Sequence, residues 1–126
     1  MAYRCAVRAS YDSALFIPGD RGASGRVHGH GYTVEAVLEA PELDDSGFVL
    51  DFEEVQAELE RIARELDHHL LNDLEPFRDS VPSAERQARF FYERLSKEIT
   101  ARANTGVRLL KIKVTQEPGA WVEYEP

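Results

Sequence analysis

The residues best suited to chemistry in this sequence are its four histidines, which stand in two pairs, His28 with His30 and His68 with His69. His28 and His30 fall in an alternating run over residues 27–40, whose even positions continue as an apolar row. Residues two apart on a strand share a face and lie about 6.5–7 Å apart, so the two imidazoles could converge on one metal ion, most favourably zinc. Two ordinary histidines at a strand end are the alternative, and zinc would also need a third protein ligand.

Asp67 and His68 form a second candidate group, at the end of a predicted helix that runs from Phe52 to about Leu66. A carboxylate beside an imidazole can orient the ring and raise its basicity, as acid–base catalysis requires. Adjacent residues within a helix do not face each other, so this pairing requires the helix to end here. The alternative, which the residues alone favour, is a cationic histidine that complements the negative end of the helix dipole.

Two glutamates and the single cysteine complete the candidates. Glu117 ends a predicted strand just before Pro118 and Gly119, where a carboxylate could hold the amidine-like edge of a heterocycle through paired hydrogen bonds. A solvated glutamate at a strand end explains it equally well. Glu85 lies in the first turn of a predicted helix, where a carboxylate suits the helix dipole. Cys5 falls on the apolar face of the first strand and is interpreted as a small core residue.

Periodicity predicts the elements that position these residues. Strands are predicted over residues 2–11 and 27–40, joined by a glycine-rich loop over residues 17–26. Asp51 is a candidate N-cap, with Glu54 placed as in a capping box, for an amphipathic helix. The apolar stripe of that helix recurs at three- and four-residue steps: Phe52, Val55, Leu59, Ile62 and Leu66.

A second helix is predicted to open at Pro82 and Ser83 and to stop at residues 104–106, where Asn104 or Gly106 could take the left-handed cap conformation. Its apolar stripe is Ala88, Phe91, Leu95, Ile99 and Ala103. A longer strand follows, whose apolar side chains are expected to face one way: Leu110, Ile112 and Val114. Two short strands are expected as well: residues 48–50 and residues 121–124.

This order of elements predicts an α+β domain, a four-stranded antiparallel sheet with two helices on one face. Such a sheet has two open edges, which proteins usually cover or pair with another chain, so we expect a homo-oligomer.

The composition of the chain limits the binding partners and the cellular location that we expect. Fifteen Lys and Arg against 23 Asp and Glu give a net charge of −8, which argues against a nucleic-acid or anionic membrane partner. One cysteine excludes an internal disulfide, and no stretch has the apolar length of a signal peptide or membrane span. We expect one soluble cytoplasmic domain over residues 1–126.

Five segments taken together resemble the 6-pyruvoyl-tetrahydropterin synthase / 6-carboxytetrahydropterin synthase family. They are HGHGYTVEAVLEA, DDSGFVLDFEEVQ, LDHHLLND, PSAE and VTQE, followed by a late Tyr124. Their order and spacing make the resemblance specific, although each segment alone would be weak. It implies the tunnelling fold, in which the sheets of several subunits, usually six, join into a barrel with active sites between subunits.

The resemblance also implies roles for individual residues. His28 and His30 match two of three zinc ligands, Asp67 and His68 match a pair that assists proton transfer, and Glu117 matches the glutamate that anchors the pterin ring. Glu85, in PSAE, matches a second pocket carboxylate. The implied substrate is 7,8-dihydroneopterin triphosphate, with zinc as the Lewis acid. The implied bacterial product, 6-carboxytetrahydropterin, feeds queuosine and 7-deazapurine synthesis.

Two positions depart from the family pattern. Leu15 stands where the third zinc histidine is expected, and Ser24 stands in the catalytic set where the family has a cysteine. Asp12 or Asp20 could supply a carboxylate ligand to zinc instead. The alternatives are a site that holds metal weakly through two histidines and water, and a site that holds none. The alternative function is therefore a non-catalytic or re-purposed homo-oligomer that binds a pterin or purine.

Overall fold

The structure is a computed structural model that describes residues 1–102 and 106–126. Its sheet has the order β1-β2-β3-β4, every neighbouring pair is antiparallel, and both helices come between β2 and β3 in the chain. The elements are β1 (Tyr3–Leu15), β2 (His28–Ala40), α1 (Phe52–Leu66), α2 (Ala84–Arg102), β3 (Arg108–Glu117) and β4 (Ala120–Tyr124). The predicted fold class, a four-stranded antiparallel sheet with two helices, is confirmed.

Strand β1 is longer than the predicted strand over residues 2–11. It pairs with β2 along its whole length, so that Tyr11 lies opposite Tyr32 and Leu15 lies opposite His28. Side chains at odd positions of β1 and even positions of β2 point to the same face of the sheet, as the period of two requires. The extension therefore puts Leu15 on the same face as the two histidines.

The helices cover that face and bury their apolar stripes against it. The buried residues of α1 include four of its predicted stripe, while Phe52 is exposed. The corresponding buried residues of α2 are Ala88, Phe91, Leu95 and Ile99. Ala103, Asn104 and Thr105 lie outside the described residues. The carboxylate of Asp51 accepts a hydrogen bond from the Glu53 amide at 2.9 Å, which confirms the predicted N-cap.

Two local predictions were wrong. Residues 48–50 form no strand, because the preceding turn uses both backbone groups of Phe48. The carboxylate of Asp44 accepts from the Phe48 amide at 2.9 Å, and the Asp44 amide donates to the Phe48 carbonyl at 2.8 Å. In β3, a bulge opposite Val37 and Leu38 shifts the register. Leu109 therefore pairs with Leu38 and joins the main core, whereas Leu110, though buried, does not.

The other face of the sheet is not covered by the helices and carries cross-strand charge pairs. Arg4 and Glu39 are 2.8 Å apart at closest approach, and Arg8 and Glu35 are 3.8 Å apart. No helix among the described residues is long and apolar enough to cross a membrane.

Candidate functional site

Five of the predicted site residues line one pocket of about 500 Å³, which we call the histidine pocket: Ser24, His28, His30, Glu85 and Glu117. The histidines come from the start of β2, and Glu117 comes from the end of β3. Because β2 and β3 run antiparallel, those two ends meet. The first turn of α2 brings Glu85, and the short helical turn Ala23–Gly25 brings Ser24. Residues far apart in sequence thus line one pocket.

The two imidazoles of the histidine pocket are close together and differently held. Their rings meet edge to face, with centroids 5.1 Å apart. Nδ1 of His28 lies 2.7 Å from the carbonyl oxygen of Arg26; since a carbonyl only accepts, Nδ1 carries the hydrogen and Nε2 is left with its lone pair when the ring is neutral. Burial, followed by the charge of His28, lowers the pKa of His30, and Glu117 acts in the opposite direction.

The donors of the histidine pocket do not complete a zinc centre. Catalytic zinc sites use three protein ligands, and the place beside His28 where the third is expected holds Leu15, which lines the same pocket. Residues 1–102 and 106–126 contain no cluster of three or more His, Cys, Asp or Glu side chains arranged to hold a metal. Residues 103–105 are Ala, Asn and Thr. The zinc implied by the resemblance therefore lacks a ligand in this chain.

Neither aspartate suggested as a substitute ligand lies with the two histidines. Asp12 is on the opposite face of β1 from Leu15 and lines a different pocket together with His30. Asp20 is exposed in the loop after β1, where its carboxylate accepts a hydrogen bond from the Gly22 amide at 2.7 Å. The carboxylate-ligand hypothesis has no support in the geometry of a single chain.

A second pocket, also of about 500 Å³, is lined by His68 and His30 among others. Asp67 does not line it but binds the His68 ring, and we call it the Asp67–His68 pocket after that pair. Helix α1 ends at Leu66, so Asp67 is its C-cap and the condition for the pairing is met. Nδ1 of His68 lies 2.9 Å from Oδ2 of Asp67, and Oδ1 of Asp67 accepts from the Asp12 amide at 2.8 Å. Asp67 thus binds the strand with one oxygen and the imidazole with the other.

The same contacts shift the protonation of this pair. The hydrogen bond from the Asp12 amide, followed by that from His68, lowers the pKa of Asp67. The hydrogen bond to Asp67 and its negative charge raise the pKa of His68. An imidazole whose Nδ1 is held by a carboxylate presents Nε2 to solvent as a base when neutral and as an acid when protonated. The geometry therefore fits proton transfer.

The backbone that presents His68 is in an unusual conformation. Its φ is 58°, in the left-handed region that residues other than glycine seldom adopt. Two hydrogen bonds to β1 hold it there: the His68 amide donates to the Asp12 carbonyl at 2.6 Å, and the Ala14 amide donates to the His69 carbonyl at 2.9 Å. Such conformations are concentrated at functional sites.

The two pockets are separate within one chain. His30 lines both, but Asp67 and His68 do not line the histidine pocket, and Glu85 and Glu117 do not line the other. The predicted site residues therefore divide into two groups, one around Glu117 and one at Asp67 and His68, which the sequence did not indicate.

A buried polar network beneath the histidine pocket was missed by the sequence analysis. Gln87 is fully buried; its Oε1 accepts from the Tyr11 hydroxyl at 2.6 Å, and its Nε2 donates to the Pro82 carbonyl at 3.0 Å. The Tyr11 ring stacks on Tyr32, whose ring in turn meets His30. The signal was present, since Gln87 precedes Phe91 by one helical step of four residues. The network links β1 to the start of α2.

The fold can now be compared with known proteins. A solved structure of 6-pyruvoyl tetrahydropterin synthase from Caenorhabditis elegans matches it with a TM-score of 0.85 and 21% identity, over 100% of this chain and 96% of that chain. A second match, an uncharacterized protein from Wolinella succinogenes, has a TM-score of 0.81, 17% identity, and covers 99% of this chain and 98% of that one. The architecture is thus that of the pterin synthases.

The sequence comparisons give the family. The family profile described as 6-pyruvoyl tetrahydropterin synthase matches residues 4–126, so the chain belongs to that family. It is 34% identical over 119 residues to 6-carboxy-5,6,7,8-tetrahydropterin synthase of Bacillus subtilis, covering 90% of this chain and 79% of that relative. It is 25% identical to a putative enzyme of the same description from Archaeoglobus fulgidus, over 93% and 90% of the two chains. The resemblance seen in the sequence is confirmed.

Proposed function

We propose that the protein is a pterin-metabolism lyase of the 6-carboxytetrahydropterin synthase type, a cytoplasmic enzyme of one domain over residues 1–126 that acts on 7,8-dihydroneopterin triphosphate. Family membership and the 34% identity to the Bacillus subtilis enzyme support the reaction class. The observation that carries the proposal is the histidine pocket, which gathers residues of four segments around Glu117. A place in queuosine or 7-deazapurine biosynthesis follows from the resemblance alone.

Glu117 is proposed to anchor the pterin ring. The amino-pyrimidinone edge of a pterin offers two N–H donors side by side, and one carboxylate accepts both in a paired, charge-assisted arrangement. Glu117 is exposed, lines the histidine pocket and follows the buried part of β3, and its pairing with Ala120 of β4 holds it at the end of the strand. Glu85, on the first turn of α2, is the second carboxylate available to the ligand, and Ser24 supplies a hydroxyl.

Asp67 and His68 are proposed to move the protons. Asp67 holds Nδ1 of His68, so Nε2 removes a proton from the substrate side chain and returns one later. Ser24 has a hydroxyl of much higher pKa than a thiol and is therefore a weak proton carrier in place of the family's cysteine. We expect slow turnover.

A homo-oligomer, a hexamer by the resemblance, would bring the two groups together. Within one chain His68, with Asp67 bound to its ring, and Glu117 line different pockets, so a site that uses both takes them from different copies. The edge strands β1 and β4 and the uncovered face of the sheet are the surfaces available for such assembly.

Zinc is the part of the resemblance that the donors of this chain do not support. His28 and His30 would be its ligands here, and it would supply a Lewis acid that polarises substrate oxygens. Because the described residues supply no third donor, the proposed proton transfers use Asp67 and His68 and not the metal.

The test is to incubate the purified protein with 7,8-dihydroneopterin triphosphate and to separate the pterins by chromatography. A new pterin is expected; finding none after supplementation with zinc would refute the catalytic proposal. Glu117→Gln keeps the size of the side chain but replaces one acceptor oxygen with a donor, so it should weaken pterin binding by about 1.5–3 kcal/mol, or roughly 10- to 150-fold.

Glu125→Gln is the matched control for that variant. It makes the same change to an exposed glutamate that follows β4 and does not line the histidine pocket. Calorimetric titration with the substrate or with a non-reactive pterin should leave the control at the affinity of the unchanged protein. Equal binding by Glu117→Gln and Glu125→Gln would contradict the anchoring role.

The second candidate is a non-catalytic homo-oligomer that binds a pterin or purine. The presence of Leu15 and Ser24 at two positions of the family's catalytic set favours it. It predicts tight ligand binding through Glu117 with no chemical change of the ligand, a result that the two measurements above separate from catalysis.

A further inference from the structure

Leu15 occupies a defined position in the histidine pocket. It lies directly opposite His28 in the β1–β2 pairing, it is 3% exposed, and it lines the pocket beside both imidazoles. A side chain at this position points to the same face as the imidazoles because paired residues in an antiparallel sheet share a face. Leucine offers that position only methyl groups.

No other group fills the position that Leu15 takes. The Asp12 side chain is on the far face of β1, and the carboxylate of Asp67 is engaged by the Asp12 amide and by His68. Glu85 and Glu117 line the pocket but form no metal-binding cluster with the imidazoles in the part of the chain that the structure describes. Among the described residues, the metal-binding side chains of this pocket are therefore the two imidazoles.

Two protein ligands fall short of the three that catalytic zinc sites use. The imidazoles are nevertheless oriented, since the Arg26 carbonyl fixes Nδ1–H of His28 and the Tyr32 ring packs against His30. A fixed imidazole without a metal can accept a hydrogen bond from a ligand through Nε2.

We infer that the histidine pocket works without a bound metal: Leu15 closes the third ligand position, and His28 and His30 contact the ligand's hydroxyl or N–H groups directly through their ring nitrogens. The inference goes beyond the proposed function, because it concerns what the two imidazoles bind and not which reaction follows.

The experiment measures zinc on the full-length protein. After growth with zinc and dialysis, the unchanged protein should retain well under one zinc per chain, and titration against a chromophoric chelator should show only weak binding. Leu15→His restores a third imidazole on the same face and should bind about one zinc per chain. Its affinity should rise by at least about 100-fold, since even the loss of outer partners of a zinc site costs 10- to 100-fold.

Two further variants test whether the zinc affinity depends on the number of imidazoles in the pocket. Leu15→Phe changes the core without adding a donor and should bind zinc no better than the unchanged protein. Leu15→His combined with His30→Ala has two imidazoles again and should lose the gained affinity. A folded Leu15→His that binds no more zinc than Leu15→Phe would overturn the assignment of Leu15 to the third position.

Because Leu15 is buried, folding must be checked alongside. Zinc should raise the unfolding temperature of Leu15→His, since a ligand of the native state stabilises it, and leave the unchanged protein as it was. If Leu15→His does not fold, the zinc content of the unchanged protein is the test. One tightly held zinc per chain overturns the inference, even if another copy in an oligomer completes the site. Weak zinc binding supports the inference. Neither result depends on pterin turnover, so failure of the proposed function would be seen separately.

Discussion

The histidine pocket and the Asp67–His68 pocket lie at the same end of the sheet but are held in place differently. The first is built on strand ends and on the first turn of α2, and the buried Gln87 ties that turn to β1. The second is built on a chain reversal after α1, with His68 in the left-handed conformation. The histidine pocket is supported by the buried core, whereas the Asp67–His68 pocket is supported by backbone hydrogen bonds to β1.

Under the proposed function, this difference separates the residues proposed to bind the ligand from those proposed to transfer protons. Glu85 lies in the first turn of α2, and Glu117 is the last residue of β3, paired with Ala120 just after a register shift. Both carboxylates are therefore positioned by secondary-structure elements. Asp67 and His68 sit on an exposed segment, with 77% of the His68 side chain accessible, where a proton-transfer group can exchange protons with solvent or face another subunit. Substitutions in the two pockets should therefore affect different measured quantities.

The largest expected effect comes from Asp67→Asn. Asparagine can still accept from the Asp12 amide through its oxygen, but it then turns an N–H toward Nδ1 of His68. That favours the tautomer with hydrogen on Nε2, which cannot act as the base. Turnover of 7,8-dihydroneopterin triphosphate should fall by about 10²- to 10⁴-fold, while pterin affinity, measured by titration, stays unchanged.

His69→Asn is the matched control for Asp67→Asn. Nδ1 of His69 lies 2.8 Å from the backbone carbonyl of Asp67 and not from its carboxylate, so the proton-transfer pair is preserved and turnover should change little. A parallel loss of affinity and turnover in Asp67→Asn would remove the separation between the two pockets.

The next effect tests whether the core supports the histidine pocket. Gln87→Leu keeps the volume but leaves the Tyr11 hydroxyl and the Pro82 carbonyl without their partner, so the free energy of unfolding should fall by about 1–3 kcal/mol. Urea denaturation measures it. Adding Tyr11→Phe removes the unpaired Tyr11 hydroxyl and should recover part of the lost free energy of unfolding.

Gln56→Leu is the control from the other helix. Gln56 also donates to a backbone carbonyl, that of Arg8, but the bond lies at the surface, where water can replace the lost partner. Its effect should be within about 0.5 kcal/mol. Equal losses for Gln56→Leu and Gln87→Leu would show that burial of the Gln87 network contributes nothing.

The sequence predicted the elements better than the relation between the pockets. Helix α1 has the predicted start and end because Asp51 caps it and Asp67 ends it. Strand β1 was predicted too short because Asp12 and Ser13 resemble turn residues, and their strand conformation depends on pairing with Gly31 and His30. That pairing is a long-range contact, which local periodicity does not contain.

The arrangement of the candidate site was likewise predictable only where it depends on local spacing and not on long-range contacts. The spacing of His28 and His30 was sufficient to predict a shared face, and the rings are indeed adjacent. The separation of Asp67 and His68 from Glu117 depends on which part of β1 the residues after α1 pair with. An isolated bridge between Ala14 and Leu70 sets that position, and a single bridge leaves no pattern in the sequence.

The smallest expected effect is a pH dependence confined to the Asp67–His68 pocket. The pKa of His68 is raised by Asp67, so its contribution to stability is complete below the ordinary histidine pKa of about 6.5 and is lost as the pH rises through the raised value. The pKa of Asp67 is lowered, so its contribution is complete above the ordinary aspartate pKa of about 3.9 and is lost as the pH falls through the lowered value. Both contributions are present together between about pH 4 and pH 6.5.

His68→Asn, which tolerates the left-handed backbone and does not titrate, should therefore lower the unfolding temperature more at about pH 5.5 than at about pH 8.5. The difference should be small because the pair is exposed. It should shrink when the same substitution is made in Asp67→Asn, where only the weaker effect of Asp12 on the pKa of His68 is left. A pH-dependent difference of undiminished size in that background would show that another group, and not Asp67, controls the protonation of His68.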